Sequence, residues 1–234
     1  MKNICLFLLL ILFCPKAKAD LSPPLGSGVG NPQTNQTDIQ AILATRLPDG
    51  TFPANIVERG QNHRRWERIT TKTNGFGIKV LTNSWVELQT GMYRRNVDTG
   101  EWVESAPGII ITNNGAIAQG APHQAHFSVN LNSPVGVEVQ TPDNQLLKLH
   151  VLGIALYDFV KDSTVLIAEL QDSDGQLVST NQVLYTNAFT DFHADVRYTY
   201  SRSGIEQDII LRQRPPLPES LFENAFKVFR DEPA

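Results

Sequence analysis

Asp191, His193 and Asp195 are the side chains whose types and spacing most directly suggest chemistry. They alternate with Phe192, Ala194 and Val196, and in an extended strand that period of two puts them on one face, with Arg197 next. Two carboxylates around an imidazole could hold a hard or borderline divalent cation. The same set could act as acid and base against a sugar. A polar face backed by an apolar one is also what any half-buried strand displays, and Asp195 could simply pair with Arg197 or with a charge on the neighbouring strand. Both readings stay open at this level.

A second constellation is His63-Arg64-Arg65-Trp66-Glu67-Arg68, the one locally basic stretch, with Arg94-Arg95 on a later strand. Arginine beside tryptophan suits polyanionic glycans through ion pairs and sugar faces through stacking. Trp66, Trp85 and Trp102, with Tyr93, would make an aromatic platform if exposed; buried, they would plug a sandwich core. The ligand-binding candidates are therefore Trp66, Arg64, Arg65, Trp85 and Trp102, and the metal candidates Asp191, His193 and Asp195.

Other patterns are weaker. His123 and His126 have a spacing that suits a metal pair on a helix, but Pro122 precedes them and residues 127–131 read as strand. There, three-residue spacing turns the rings to opposite faces. Asp172-Ser173-Asp174-Gly175 opens like a calcium loop yet lacks the fourth acidic ligand and the closing Glu, so it reads as a hairpin turn. No G-x-S-x-G, Walker loop, H-E-x-x-H or dinucleotide fingerprint occurs. The sequence assigns no catalytic residue and calls for no cofactor.

The elements that must position these residues are short β-branched or aromatic runs over residues 56–212. Residues 76–81, 85–89 and 92–97 read as strands, and Asp98-Thr99-Gly100 turns the chain into 101–104. Asn113-Asn114-Gly115, between Ile109-Ile110-Ile111 and Ala116-Ile117-Ala118, marks a two-residue hairpin. Strands follow over 125–131, 135–140, 145–155, 165–170 and 176–179. The last pair, 192–200 and 205–212, is joined by Ser201-Arg202-Ser203-Gly204. This density of turns, without a long helical period or a fixed repeat, predicts an all-β, antiparallel β-sandwich over 38–214.

Two helical pieces flank it. Residues 38–46 read as a short helix, with Asp38 as N-cap and Ile39, Ile42 and Leu43 on one face. After Pro215-Pro216-Leu217-Pro218, residues Leu221, Phe222, Ala225, Phe226 and Phe229 recur at helical spacing behind Ser220. Residues 215–234 are thus a Pro-rich exit and an amphipathic segment, which either packs back on the sheets or docks on a protein partner or further domain.

Lys2, the apolar run over residues 4–13 and Ala17-Lys18-Ala19 have the order of a secretory signal peptide cleaved after Ala19. The apolar run is about ten residues, roughly half of a bilayer span, so no transmembrane anchor is expected to remain. Phe13 before Cys14 does not suit lipidation. Cys5 and Cys14 are the only cysteines, so cleavage would leave no disulfide and no thiolate ligand. Residues 20–37 read as a flexible polar linker. Removing residues 1–19 leaves 215 of 234, within the range of one large β domain. It also removes three lysines and no acid, taking the formal net charge from −4 to −7. An acidic chain gains no general attraction to nucleic acid or anionic lipid. The expected place is secreted, at the cell surface or in the periplasm.

The stretch from Val183 to Leu211 carries a resemblance. It reads Val-Leu-Tyr-Thr-Asn-Ala-Phe, then Ala194-Asp195-Val196-Arg197-Tyr198-Thr199-Tyr200, then Gly204-Ile205-Glu206-Gln207-Asp208-Ile209-Ile210-Leu211. This is similar to the leading β domains of large secreted bacterial proteins of the wall-associated, YD-repeat (RHS-type) kind. About thirty residues agree clearly, and Thr90 to Tyr93 with Glu101 to Val103 more loosely; the chain has no YD repeats. The likeness is to a strand-pair signature and implies no active site. It implies a non-catalytic, surface-exposed module of a larger secreted architecture. The expectation is therefore a structural or adhesion-type β domain. The alternative is a carbohydrate-binding or carbohydrate-active sandwich of lyase or mutarotase kind, with His193 and its flanking carboxylates as acid and base.

Overall fold

Period-two alternation in several strands over residues 109–209, as in Gly115–Ala118, Gln124–Phe127 and Gln182–Tyr185, buries one face, and the chain forms two antiparallel sheets sharing one core. The computed structural model describes residues 4–13, 36–75, 77–158 and 162–215. Almost every element is a strand, and an all-β, sandwich-like architecture is what the turn density predicted. Its contacts divide it into two compact units, Ala17–Glu104 and the remainder.

In the larger unit, the first sheet holds β1 (Ile4–Phe13), β7 (Ile109–Thr112), β8 (Gly115–Ala118), β9 (Gln124–Phe127), β10 (Val137–Gln140), β11 (Leu146–Asp158) and β12 (Ser163–Glu169). Its order is β1-β11-β10-β9-β8-β7, with β12 also on β11. The second sheet is a four-strand meander of β13 (Gly175–Ser179), β14 (Gln182–Tyr185), β15 (Ala194–Tyr200) and β16 (Ile205–Leu211). Phe127, Leu131, Val137, Val151 and Ile154 meet Tyr185, Val196, Tyr198 and Tyr200 in a single buried cluster. Tyr185 and Tyr198 pack edge to face, ring centroids 6.1 Å apart. Their hydroxyls are shifted well above the ordinary phenol range, because burial penalises the phenolate.

Buried hydroxyls must find partners. Tyr200 donates to the carbonyl of His123 and accepts from the Ala121 N–H, both at 2.8 Å. Tyr185 donates to the carbonyl of Ser128 at 2.6 Å. The second sheet therefore holds two loops of the first through tyrosine tips.

The smaller unit contains α1 (Gln36–Ala44), β2 (Ala54–Gly60), β3 (His63–Asn74) and β4 (Gly77–Leu88), with a separate pair, β5 (Tyr93–Arg95) and β6 (Trp102–Glu104). Among its described residues, Phe52, Met92 and Tyr93 are the buried large side chains. The helix begins two residues earlier than the sequence suggested. The runs 76–81 and 85–89, expected as two strands, are joined in the single strand β4 over Gly77–Leu88: Thr82, Asn83 and Ser84 interrupt the apolar pattern but not the pairing with β3. β2 and β3 gave little sequence signal, because polar and charged residues occupy both faces of His63–Asn74.

The apolar run expected to act as a leader lies as β1 along the length of β11. Most of the linker, the cleavage site and the phenylalanine stripe of the C-terminal segment fall outside the described residues. Among those described, no helix is long and apolar enough to cross a membrane.

Candidate functional site

The register of β3 against β4 sets Trp66 opposite Trp85. Their rings stack at 6.3 Å between centroids and 10° between planes. The Arg64 guanidinium lies 4.9 Å from the Trp66 centroid, and that of Arg68 lies 5.7 Å from Trp85. Alternation explains the grouping, since Arg64, Trp66 and Arg68 are spaced by two on β3 and so share a face. The result is a ladder of cation, indole, indole and cation running across two strands. Both indoles carry their negative ring faces toward a guanidinium, which is the favourable geometry.

Glu87, two residues beyond Trp85, locks one end. It accepts from Arg64 Nε at 2.7 Å and Nη2 at 2.9 Å, and from Trp66 Nε1 at 2.9 Å. The bond to Arg64, then that to Trp66, hold its carboxyl below the usual carboxylate range, and Glu87 in turn raises the guanidinium. Nothing in the sequence singled out Glu87, although its spacing from Trp85 is the signal that would have found it. At the other end, Arg68 is exposed, and its charge is among the causes that lower the Asp49 carboxyl, after the Thr51 hydrogen bonds. Trp85 is 42% exposed.

The remaining candidates of this set lie elsewhere. Arg65 projects to the opposite face of β3, where it meets Glu58 at 2.9 Å and Glu67 at 2.5 Å. Trp102 sits on β6 with the Arg95 guanidinium 4.1 Å from its ring, a separate small stack. Of five ligand-binding candidates, the structure thus assembles Arg64, Trp66 and Trp85.

Asp191, His193 and Asp195 do not share a strand face. Asp191 has a φ of 53° and His193 precedes the start of β15, so both belong to the turn. Asp195, on the strand, is 5% exposed. Its Oδ1 accepts from the Asn187 N–H at 2.8 Å and its Oδ2 from Arg212 Nε at 2.7 Å. His193 is exposed and bonds the Asn187 side chain through Nδ1 at 3.2 Å. Arg197, the neighbour considered as a partner for Asp195, pairs with Asp208 on β16 instead.

His123 and His126 also part. His123 is buried edge-on against Tyr200, centroids 5.1 Å apart, while His126 Nε2 lies 3.1 Å from the carbonyl of Asn114. Asp172-Ser173-Asp174-Gly175 forms a junction rather than a cation loop. Asp172 accepts from Asn132, the Ser173 hydroxyl donates to the Thr186 carbonyl, and Asp174 bridges to Asn130. Among the described residues no three His, Cys, Asp or Glu side chains form a cluster fit for a metal ion.

One cavity of about 200 Å³ opens beside Ile111, Phe127, Val129, Leu177, Val183 and Tyr185. Its hydroxyls are engaged, since Thr112, Ser128 and Tyr185 donate to the carbonyls of Gly115, Val135 and Ser128. It offers apolar space without a convergent polar group of the kind that orients a ligand.

No protein-family model, curated protein or solved structure matches this chain.

Proposed function

We propose that this chain is a non-catalytic, adhesion-type β module of a larger exported architecture, and that the Arg64-Trp66-Trp85-Arg68 ladder on β3 and β4 is its contact surface. The ladder is the observation that carries the reading. Its side chains are held in register by stacking and by Glu87, so little rotamer entropy is left to lose on contact. It presents an exposed indole beside an exposed guanidinium, the residue types that dominate contact surfaces. The likeness of residues 183–211, the strands β14 to β16, to leading domains of wall-associated secreted proteins supports the same reading. So does the sequence of residues 1–19, which has the order of an export signal.

Carbohydrate binding is the second reading, and the stacked arginines favour an anionic glycan over a neutral one. The two are separated by a glycan array probed with the exported chain, with calcium and then with chelator, beside a blot against envelope proteins. The adhesion reading expects capture of an envelope protein that Trp85→Ala and Arg68→Ala weaken and His193→Ala leaves unchanged. Selective glycan capture lost in the same ladder variants would replace it with the carbohydrate reading. A glycan-cleaving activity abolished by His193→Ala would sink both non-catalytic readings.

A further inference from the structure

Every strand edge has backbone groups that must pair, and β11 is the place where this accounting leaves a question. β10 pairs residues 146–149 of β11 and β12 pairs residues 153–158, so these two strands share one edge. The opposite edge, Lys148 to Asp158, is covered by β1 alone. β1 is the apolar run that reads as the leader. Once that leader is removed, no described strand covers this edge.

The bare edge reads Lys-Leu-His-Val-Leu-Gly-Ile-Ala-Leu-Tyr-Asp, which is nearly self-complementary about Gly153. Apolar residues flank the glycine on both sides, a cation stands at one end and an anion at the other. Two copies of such a segment, antiparallel about a two-fold axis, bring Lys148 of each opposite Asp158 of the other. We propose that this edge is a homodimer interface, in which β11 of a second copy takes the place that β1 occupies.

Several features fit that occupant. In a two-fold pair each residue faces its counterpart at equal distance from the axis, so the two ends must attract. Here Leu149 meets Tyr157, His150 meets Leu156 and Val151 meets Ala155, with a Lys-Asp pair closing each end. β1 follows the edge with one irregularity, opposite Leu152. Two copies each bring that irregularity, so the offsets cancel and the ends stay in phase. The axis also lies where the edge has no bulk: Gly153 is required by β12, because a Cβ there would meet the Ala168 carbonyl oxygen at 2.3 Å. Lys148 is 49% exposed and bonded to Glu138 at 3.1 Å, and Asp158 is 5% exposed and already partnered within its own chain, so the pair across the axis would add a second contact to each. A long apolar edge is an aggregation hazard if left open, and closed two-fold pairing removes it.

This inference rests on removal of the leader and not on the adhesion reading. Its test is to express the full chain, collect the exported form, read its N-terminus and measure its mass by sedimentation velocity. The expected result is an N-terminus at Asp20 and a dimer. Lys148→Glu, which sets two acids face to face at both ends, should raise the dimer dissociation constant about tenfold or more. Lys148→Arg should keep the dimer, and both variants should melt as folded proteins. An Asp20 N-terminus with a monomer at all concentrations would overturn the proposal, as would a dimer indifferent to Lys148→Glu. A chain that keeps Met1 and stays monomeric would overturn it too, by leaving β1 in place. None of these outcomes bears on the ladder, whose failure would appear only as lost capture of an envelope partner.

Discussion

The Asp195 carboxylate on β15 closes on the Arg212 guanidinium just past β16, with Oδ2 2.7 Å from Nε and 2.6 Å from Nη2. Its other oxygen holds the Asn187 N–H in the turn before β15. One buried carboxylate thus ties together a turn, a strand and the exit of the last strand.

Asp195→Asn should therefore act on stability. The carboxylate is buried, but Arg212 is 54% exposed and its share is screened by water. We expect a loss of about 2 kcal/mol in urea unfolding. His193→Ala, at an exposed side chain, should stay within about 0.5 kcal/mol of the parent. Equal losses from the two variants would contradict the clamp.

Gly115 closes the β7–β8 hairpin with a φ of 124°. A Cβ there would stand 2.1 Å from the Phe127 carbonyl oxygen, which is backbone of the adjoining strand and cannot swing aside. Gly115→Ala should cost about 2 kcal/mol or more, through strain and displacement of β9. A melting temperature unchanged from the parent would refute this.

The His123 imidazole is pushed below its ordinary value near 6.5 by burial. The unfolded chain therefore binds a proton below about pH 6.5 that the folded chain resists. Stability from this source is complete above that pH and falls as pH drops through the window beneath it. His123→Phe keeps a ring against Tyr200 and removes the proton site. The urea midpoint of the parent should fall more between about pH 7.5 and pH 5.5 than that of the variant. Parallel curves would show that His123 carries none of the acid sensitivity.

Local chemistry made much of the fold legible. The Asn113-Asn114-Gly115 hairpin forms where the sequence put it, since a two-residue connection needs only turn-forming residues between two apolar runs. The pairs over 192–200 and 205–212 also appear, with ends moved by a few residues. β3 stayed hidden because charged residues on both of its faces erase the period of two that betrays a half-buried strand. The candidate site is legible as composition alone: residue type points to Arg64, Trp66 and Trp85 but not to Glu87, and Arg65 and Trp102 face other surroundings.

By itself the sequence determined what depends on neighbours along the chain: strand periodicity, turn chemistry and the all-β class. The tertiary structure decided what depends on pairing between distant strands. A one-residue slip of β3 against β4 would turn Trp85 to the face opposite Trp66 and dissolve the ladder without altering either strand. The same holds for Asp195, whose partner lies seventeen residues away on another strand's exit rather than beside it. Period and turn are set by sterics within a few residues, whereas register is set by the burial of whole faces, which no short window of sequence contains.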